Sequence, residues 1–415
     1  MKSFLQKFGT FAIFSIATIL GTELLLIGFN PASLQYYRDV KLLHAYHPDY
    51  GVTLQPNESR YIKHYAGAWE GRFTTNSLGL RGKEEPESQR PKLFCLGDSM
   101  VMGFGVSDEE TFCSLLNRIK INEEVYQSLN LGVDAYGSLG DAKRLEDISQ
   151  KVTNIKEVLF FISPNDFAMP EVLRNQGILP DDELDAMHEN DERWKSNFRL
   201  QFEATRISFF LQALKLAYEQ TLVIWAQNKN AFSLEWQAAI RNPSDYIYDS
   251  FFQEAKRNKC TSKKLEIEHS CPEPIPVEQF TCIDHPPDSK TLPELTPTTI
   301  RAYERMITLS KKYNFRLRPI VIPVQVEEIY CYLNGKYHPL GNYAIRAKKF
   351  WNSRGIGLID LTPYTNKMCG SPISVDGKVS FSSIRDYFIP GDGHLTKEGN
   401  KWVAESLKSV LGATR

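Results

Sequence analysis

Residues 92–105 read KLFCLGDSMVMGFG, an apolar run followed by Gly97-Asp98-Ser99 and then by Gly103 and Gly105. A short apolar run bounded by turn residues reads as a strand buried on both faces. Gly, Asp and Ser are common turn residues, so the tripeptide alone fits any strand-to-helix turn. A lone serine at the end of a buried strand is equally the form of a nucleophile elbow. The choice between the two rests on the rest of the chain.

Outward from this stretch the chain alternates. KLFCL (92–96) is the first strand, and DEETFCSLLNRI (108–119) has helical apolar spacing with acidic residues in its first turn. VYQSLNL (125–131) reads as a strand, LGDAKRLEDISQKV (139–152) as a helix and EVLFFI (157–162) as a third strand. The same rhythm returns with helix 298–313, strand 316–323, helix 343–355 and strand 356–362. It closes on DGHLTKEGNKWVAESLKSVL (392–411), whose second part is an amphipathic helix. Strands alternating with helices at this spacing predict an α/β fold built on a parallel sheet.

Residues 167–297 break the rhythm. They hold a helical stretch, SFFLQALKLAYEQTLVIWAQ (208–227), and a Cys-, Pro- and Glu-rich loop near 258–297. Long loops without structure of their own are uncommon inside compact domains, so the region reads as an insertion over one edge of the sheet. Ahead of the sheet, residues 34–90 carry short alternating stretches such as GRFTTNSLGLRG (71–82), a small β-rich lead-in.

The N-terminus is of another kind. Lys2 and Lys7 precede Gly9 to Phe29, GTFAIFSIATILGTELLLIGF, an apolar run broken only by Glu23. Its length suits a transmembrane helix of roughly 20 residues, and the small residues after Phe29 match a signal-peptide cleavage site poorly. The lysines favour a cytoplasmic N-terminus and an extracytoplasmic body. Glu23 is either a tolerated polar residue near the outer end or a contact with a partner helix in the membrane. The domain reading is therefore 1–33 anchor, 34–90 lead-in and 91–415 α/β domain carrying the insertion 167–297.

The 415 residues carry a net charge of −1 and no Lys/Arg cluster in the body, which removes the electrostatic case for nucleic acid. The 19 Tyr and 24 Phe read chiefly as core. Of the seven cysteines, Cys95 and Cys113 sit in apolar patterns and read as buried thiols. Cys260, Cys271, Cys282, Cys331 and Cys369 lie in polar loops, where an oxidising compartment permits pairing. Cys271 with Cys282 (or Cys260), and Cys331 with Cys369, are the pairs considered. No CxxC occurs, which disfavours a zinc site, and neither metal nor cofactor is called for.

In open α/β sheets reactive groups collect at the carboxyl ends of the strands. Ser99 follows the first strand, Gly132 ends the second in Asn130-Leu131-Gly132, and Asn165 ends the third in Ser163-Pro164-Asn165-Asp166. Asp392 and His394 sit in the turn before the last helix. Singly each is an ordinary turn or surface residue; their ordered recurrence on one edge is what carries chemistry. On these blocks the chain resembles the SGNH/GDSL hydrolases, over roughly residues 90–166 and 298–411.

That resemblance implies a three-layer α/β/α sandwich with a mainly parallel central sheet, the flavodoxin-like SGNH fold. It implies Ser99 as nucleophile, His394 as base, and the N–H groups of Ser99 and Gly132 with the Asn165 amide as oxyanion donors. A glycine at 132 would let substrate approach the backbone closely. Two positions depart from the family pattern. Ser163 stands where glycine is usual, and the acid that usually lies three residues before the histidine stands at Asp392, two before it. Asp392, Asp386 and a Ser–His dyad without an acid all remain open as completions of the site.

The expectation is an anchored, extracytoplasmic carboxylic ester hydrolase acting on an ester-bearing lipid or an acylated glycan. Two alternatives stand beside it: an O-acyltransferase modifying a cell-envelope glycan, and a catalytically silent, membrane-anchored binding or assembly protein.

Overall fold

The computed structural model describes residues 2–49, 51–134, 137–163, 192–218, 282–324, 326–368, 372–375, 378–381, 384–389 and 393–413. Helix α1, Lys2–Phe29, is continuous through the apolar run, and its Gln6–Phe29 stretch has a mean hydropathy of 2.0. Asn30-Pro31 then breaks it, since proline offers no N–H to continue the ladder. Helix α2, Ala32–Leu43, follows directly and buries Leu34, Tyr36 and Leu43. The lead-in thus opens on a helix that its period-two patterning did not announce. Two antiparallel hairpins come next: β1 (His44–His47) with β2 (Gly51–Leu54), and β3 (Ser59–Lys63) with β4 (Glu70–Thr74).

The sheet is built from β5 (Lys92–Leu96), β6 (Gln127–Asn130), β7 (Ile155–Ile162), β8 (Arg316–Val321) and β9 (Ile359–Asp360). All pairings are parallel, and the spatial order is β9-β8-β7-β5-β6. The expected α/β fold with a parallel sheet is therefore present. In chain order this is 2-1-3-4-5, so the topological switch point falls between β5 and β7, at the strand that ends in Gly97-Asp98-Ser99.

Successive residues of β5 serve two cores. Leu93 and Cys95 join a cluster with Phe112, Phe161 and Trp402, whereas Phe94 and Leu96 join another with Phe160, Tyr303 and Trp351. This is why KLFCL is apolar throughout: a strand covered on both faces has no solvent side. Helix α3 (Ser99–Met102) leaves β5, α4 (Phe112–Leu115) follows, and α5 (Ser138–Lys151) leads to β7. The helix expected over 108–119 is broken. Asp108–Glu110 form one 3-10 turn, after which Thr111 caps α4 by accepting the Ser114 N–H at 3.2 Å.

In the inserted region α6 spans Glu192–Ile207, and helix α7 runs over 209–218. Helices α8 (Pro297–Tyr313), α9 (Val326–Leu333), α10 (Asn342–Ser353) and α11 (Lys397–Ala413) complete the described domain. The sequence reading had no helix at α9.

The lead-in is fastened to the end of the sheet. Tyr36, Leu43, Leu54, Ile62, Trp69 and Phe73 share a third core cluster with Met102, Val133 and Ile389. Arg144 of α5, fully buried, donates from Nε to Leu131 O at 2.8 Å, from Nη1 to Thr53 Oγ1 at 2.5 Å and from Nη2 to Gly79 O at 2.8 Å. One guanidinium so joins β2, the turn after β4 and the end of β6.

The cysteines pair differently from expectation. Cys95 and Cys113 form a disulfide rather than two buried thiols; both are apolar in context, but β5 and α4 bring their Cα atoms to 6.1 Å. Cys282 pairs with Cys331, which displaces the suggested Cys271–Cys282 and Cys331–Cys369 bridges, while the alternative Cys271–Cys260 lies on residues that are not described. Sequence cannot show that the end of the insertion folds back onto α9 and the segment after it, where Ile283 and Tyr337 form an antiparallel bridge. Cys260, Cys271 and Cys369 lie outside the described residues.

Candidate active site

Gly97 has φ +156°, and a Cβ there would stand 2.6 Å from Val101 Cγ2 and 3.1 Å from Phe161 O. Only glycine lets the chain turn this sharply against β7. Asp98, buried, then caps α3: its Oδ1 accepts the Met100 N–H at 2.9 Å. Its other oxygen, Oδ2, accepts the Ser163 hydroxyl at 2.8 Å. Ser163 thus ties the end of β7 to the turn that carries Ser99. Ser99 is the first residue of α3 and is half-buried.

His394 arrives on a tight turn before α11. Phe388 and Leu395 bridge, the Ile389 N–H donates to His394 O at 2.7 Å, and Thr396 Oγ1 donates to Asp386 O at 2.7 Å. Thr396 Oγ1 also accepts the Gly399 N–H at 3.2 Å, capping the helix behind the histidine. The imidazole Nε2 lies 2.7 Å from Ser99 Oγ, across 295 residues of sequence. The Phe104 ring flanks the imidazole, with centroids 5.3 Å apart. Both residues are half-buried, so the pair is packed on one side and still open on the other.

Gly132 is also brought to the site, for a reason other than substrate access. A Cβ on it would lie 2.2 Å from Met102 N, so its missing side chain lets the loop after β6 press on α3. Its N–H donates to Asn130 Oδ1 at 2.9 Å, while Asn130 Nδ2 donates to Val101 O at 2.8 Å. The sequence-predicted Asn165 and Asp392 lie outside the described residues. Asp386 meets the histidine's turn through its main-chain carbonyl.

Two polar residues that sequence reasoning missed stand beside the dyad. The Leu131 N–H donates to Cys95 O and the Val133 N–H to Gly97 O, so this loop continues the strand ladder and delivers Asp134 to the level of Ser99. The Asp134 carboxylate contacts His44 Nε2, and His44 Nδ1 is 2.6 Å from Val40 O. Burial alone would raise the Asp134 carboxyl, but the His44 ring, with a smaller contribution from His394, holds it below its ordinary value. Burial would likewise depress His44, yet the Asp134 charge outweighs it and raises the imidazole. A signal for Asp134 existed, an acid two residues beyond a strand-end glycine; none existed for His44, 90 residues upstream.

A serine hydroxyl hydrogen-bonded to an imidazole, on the carboxyl edge of a parallel sheet at its switch point, is arranged for proton transfer from Oγ to Nε2. The chain matches no protein-family model and no curated protein sequence.

Proposed function

We propose that the protein is a serine-dependent carboxylic ester hydrolase of the SGNH type, with the three-layer α/β/α arrangement of that family, anchored in a membrane by α1. The observation that carries this reading is the 2.7 Å contact between His394 Nε2 and Ser99 Oγ. In the reaction Ser99 Oγ attacks the ester carbonyl carbon while His394 Nε2 takes the hydroxyl proton. The tetrahedral oxyanion collapses to an acyl-serine, and His394 returns the proton to the departing alcohol. Water then repeats the sequence: His394 takes its proton, hydroxide attacks the acyl carbon, and the acid leaves as Ser99 regains its hydrogen.

In this reading the oxyanion rests on the N–H of Ser99 and on the Asn165 amide. The Gly132 N–H contributes when it turns from Asn130 Oδ1 toward the developing charge. Asp392 is the proposed orienting acid for His394. Asp134 adds a fixed negative charge that favours the imidazolium formed in each attack.

The body is proposed to stand outside the cytoplasm; the two described disulfides support an oxidising compartment. The decisive test is labelling by a fluorophosphonate probe. Wild-type protein is expected to be labelled at Ser99 and to hydrolyse a short acyl ester. Ser99→Ala, with an unchanged melting curve, is expected to lose both. Full residual hydrolysis in that variant would overturn the proposal.

A further inference from the structure

Glu23, six residues inside the end of α1, makes its contacts within its own chain. Its Oε2 accepts the Ser208 hydroxyl at 2.8 Å and the Phe210 N–H at 2.7 Å, and its Oε1 accepts the Phe209 N–H at 2.9 Å. These contacts occur where the inserted helical segment is interrupted. The Ser208 N–H still reaches Ala204 O and the Gln212 N–H reaches Ser208 O; of the three amides between them, those of Phe209 and Phe210 bond to Glu23 and that of Leu211 donates to Ser208 Oγ at 3.1 Å. A carboxylate in the apolar helix thus takes up the amides freed at the start of α7. Within the chain, the helix that Glu23 meets is α7.

The contact sets the depth of α7. Gln6–Phe29 spans about 36 Å at 1.5 Å per residue, and Glu23 lies about 9 Å from the Phe29 end. Amphipathic helices lying in a membrane surface bed their apolar face about 5–10 Å into the headgroup and acyl boundary.

The two faces of α7 differ accordingly. Toward the body, Phe209 is buried under the Arg38 guanidinium, 4.6 Å from the ring centroid, and Gln212 Oε1 accepts from Lys41 Nζ at 2.6 Å. On the other face Leu211, Leu214 and Tyr218 are 39%, 51% and 64% exposed, and Ile207 at the end of α6 is 73% exposed. Positions 207, 211, 214 and 218 are spaced as one stripe of a helix. Such a stripe marks an interaction surface rather than a solvated face.

We propose that this stripe is a second membrane contact, bedded in the lipid of the same leaflet that α1 leaves, and that it holds the Ser99 site at the bilayer surface. The occupant is lipid because the start of the stripe is tied to the membrane-spanning helix itself. From α2, which packs on α7, aromatic rings run to the dyad: Tyr36 to Trp69 at 5.9 Å, Trp69 to Phe104 at 5.0 Å, and Phe104 to His394 at 5.3 Å. The juxtamembrane segment is therefore packed, through Trp69, against the Phe104 ring that flanks His394. The substrate class that fits is an ester presented by the bilayer, which rests on the hydrolase and anchor readings above.

The test uses the full chain in nanodiscs of phosphatidylcholine and phosphatidylglycerol. An environment-sensitive fluorescent amino acid is placed singly at Leu25, Leu214 or Lys120. Positions 25 and 214 are expected to be quenched by doxyl-labelled lipid, and position 120 by aqueous iodide. Iodide quenching at 214 with lipid quenching at 25 would overturn the proposal and leave the anchor intact. Access by neither quencher at 214 would overturn it in favour of a protein partner or a second copy. Loss of lipid quenching at both 25 and 214 would overturn the anchor as well. Leu214→Glu is expected to slow hydrolysis of a bilayer-embedded ester by about tenfold or more while leaving a soluble short ester unaffected. Equal rates on both substrates in that variant would argue against a lipid-held site.

Discussion

At the scale of single residues, the site depends on charges placed by backbone that lies far away in sequence. The His44–Asp134 contact joins the first strand of the lead-in to the loop beside Ser99. Its effect on stability has a defined pH window. His44 is raised above 6.5, so its contribution is complete below that value and is lost as pH rises through the higher folded value. Asp134 is lowered below 3.8, so its contribution is present above that value and is lost as pH falls through the lower one. The pair therefore stabilises most strongly between those limits. His44→Asn leaves a partly buried carboxylate without its partner and is expected to cost about 3 kcal/mol. Thermal unfolding at pH 5.5 and pH 9 is expected to show the larger wild-type advantage at the lower pH. An advantage that grows with pH would contradict the assignment of the charged pair.

At the scale of elements, the strands were the most legible feature. KLFCL and EVLFFI are apolar at every position because both faces of the sheet are covered, and both fall on observed strands. Helices were legible where an apolar stripe repeats over three turns, as in Pro297–Tyr313. They were misread where a cap interrupts the pattern. Thr111, the fourth residue of DEETFCSLLNRI, ends one turn as it starts the next. Ser99 and His394 were legible as a pair because α/β connectivity sends strand ends and their turns to one edge. Asp134 with His44, and Glu23 with α7, were not, because each partner comes from a segment whose place the sheet does not dictate. Gly132 shows the same limit in its reason rather than its position. It serves the contact between the β6 loop and α3, so Gly132→Ala drives a Cβ to 2.2 Å from Met102 N. That variant is expected to lose about 2–4 kcal/mol of stability and to react more slowly at Ser99, because α3 must shift. Unchanged melting and unchanged fluorophosphonate labelling would refute the role given to this contact.

At the scale of the whole molecule, the disulfides and the topology make one claim together. Cys95–Cys113 links β5 to α4 immediately beside the Gly97-Asp98-Ser99 turn, closing 18 residues, and Cys282–Cys331 fastens the end of the insertion to α9, closing 49. Cross-links over loops of these lengths typically contribute about 2–4 kcal/mol each, largely by restricting the unfolded chain. If the body lies outside the cytoplasm, both bridges form during export and the mature protein carries them. Alkylation of protein isolated from its native membrane, without reductant, followed by peptide mass spectrometry, is then expected to find Cys95, Cys113, Cys282 and Cys331 blocked. The same chain retained in a reducing cytoplasm is expected to carry four free thiols at these positions and to melt several degrees lower. Ester hydrolysis is expected to suffer more than the loss of one distant bridge would explain, because Cys95 lies two residues before Gly97, and Gly97 sets the turn on which Ser99 stands. Free Cys95 and Cys113 in the native protein would place the body on the cytoplasmic side and overturn the topology read from Lys2 and Lys7.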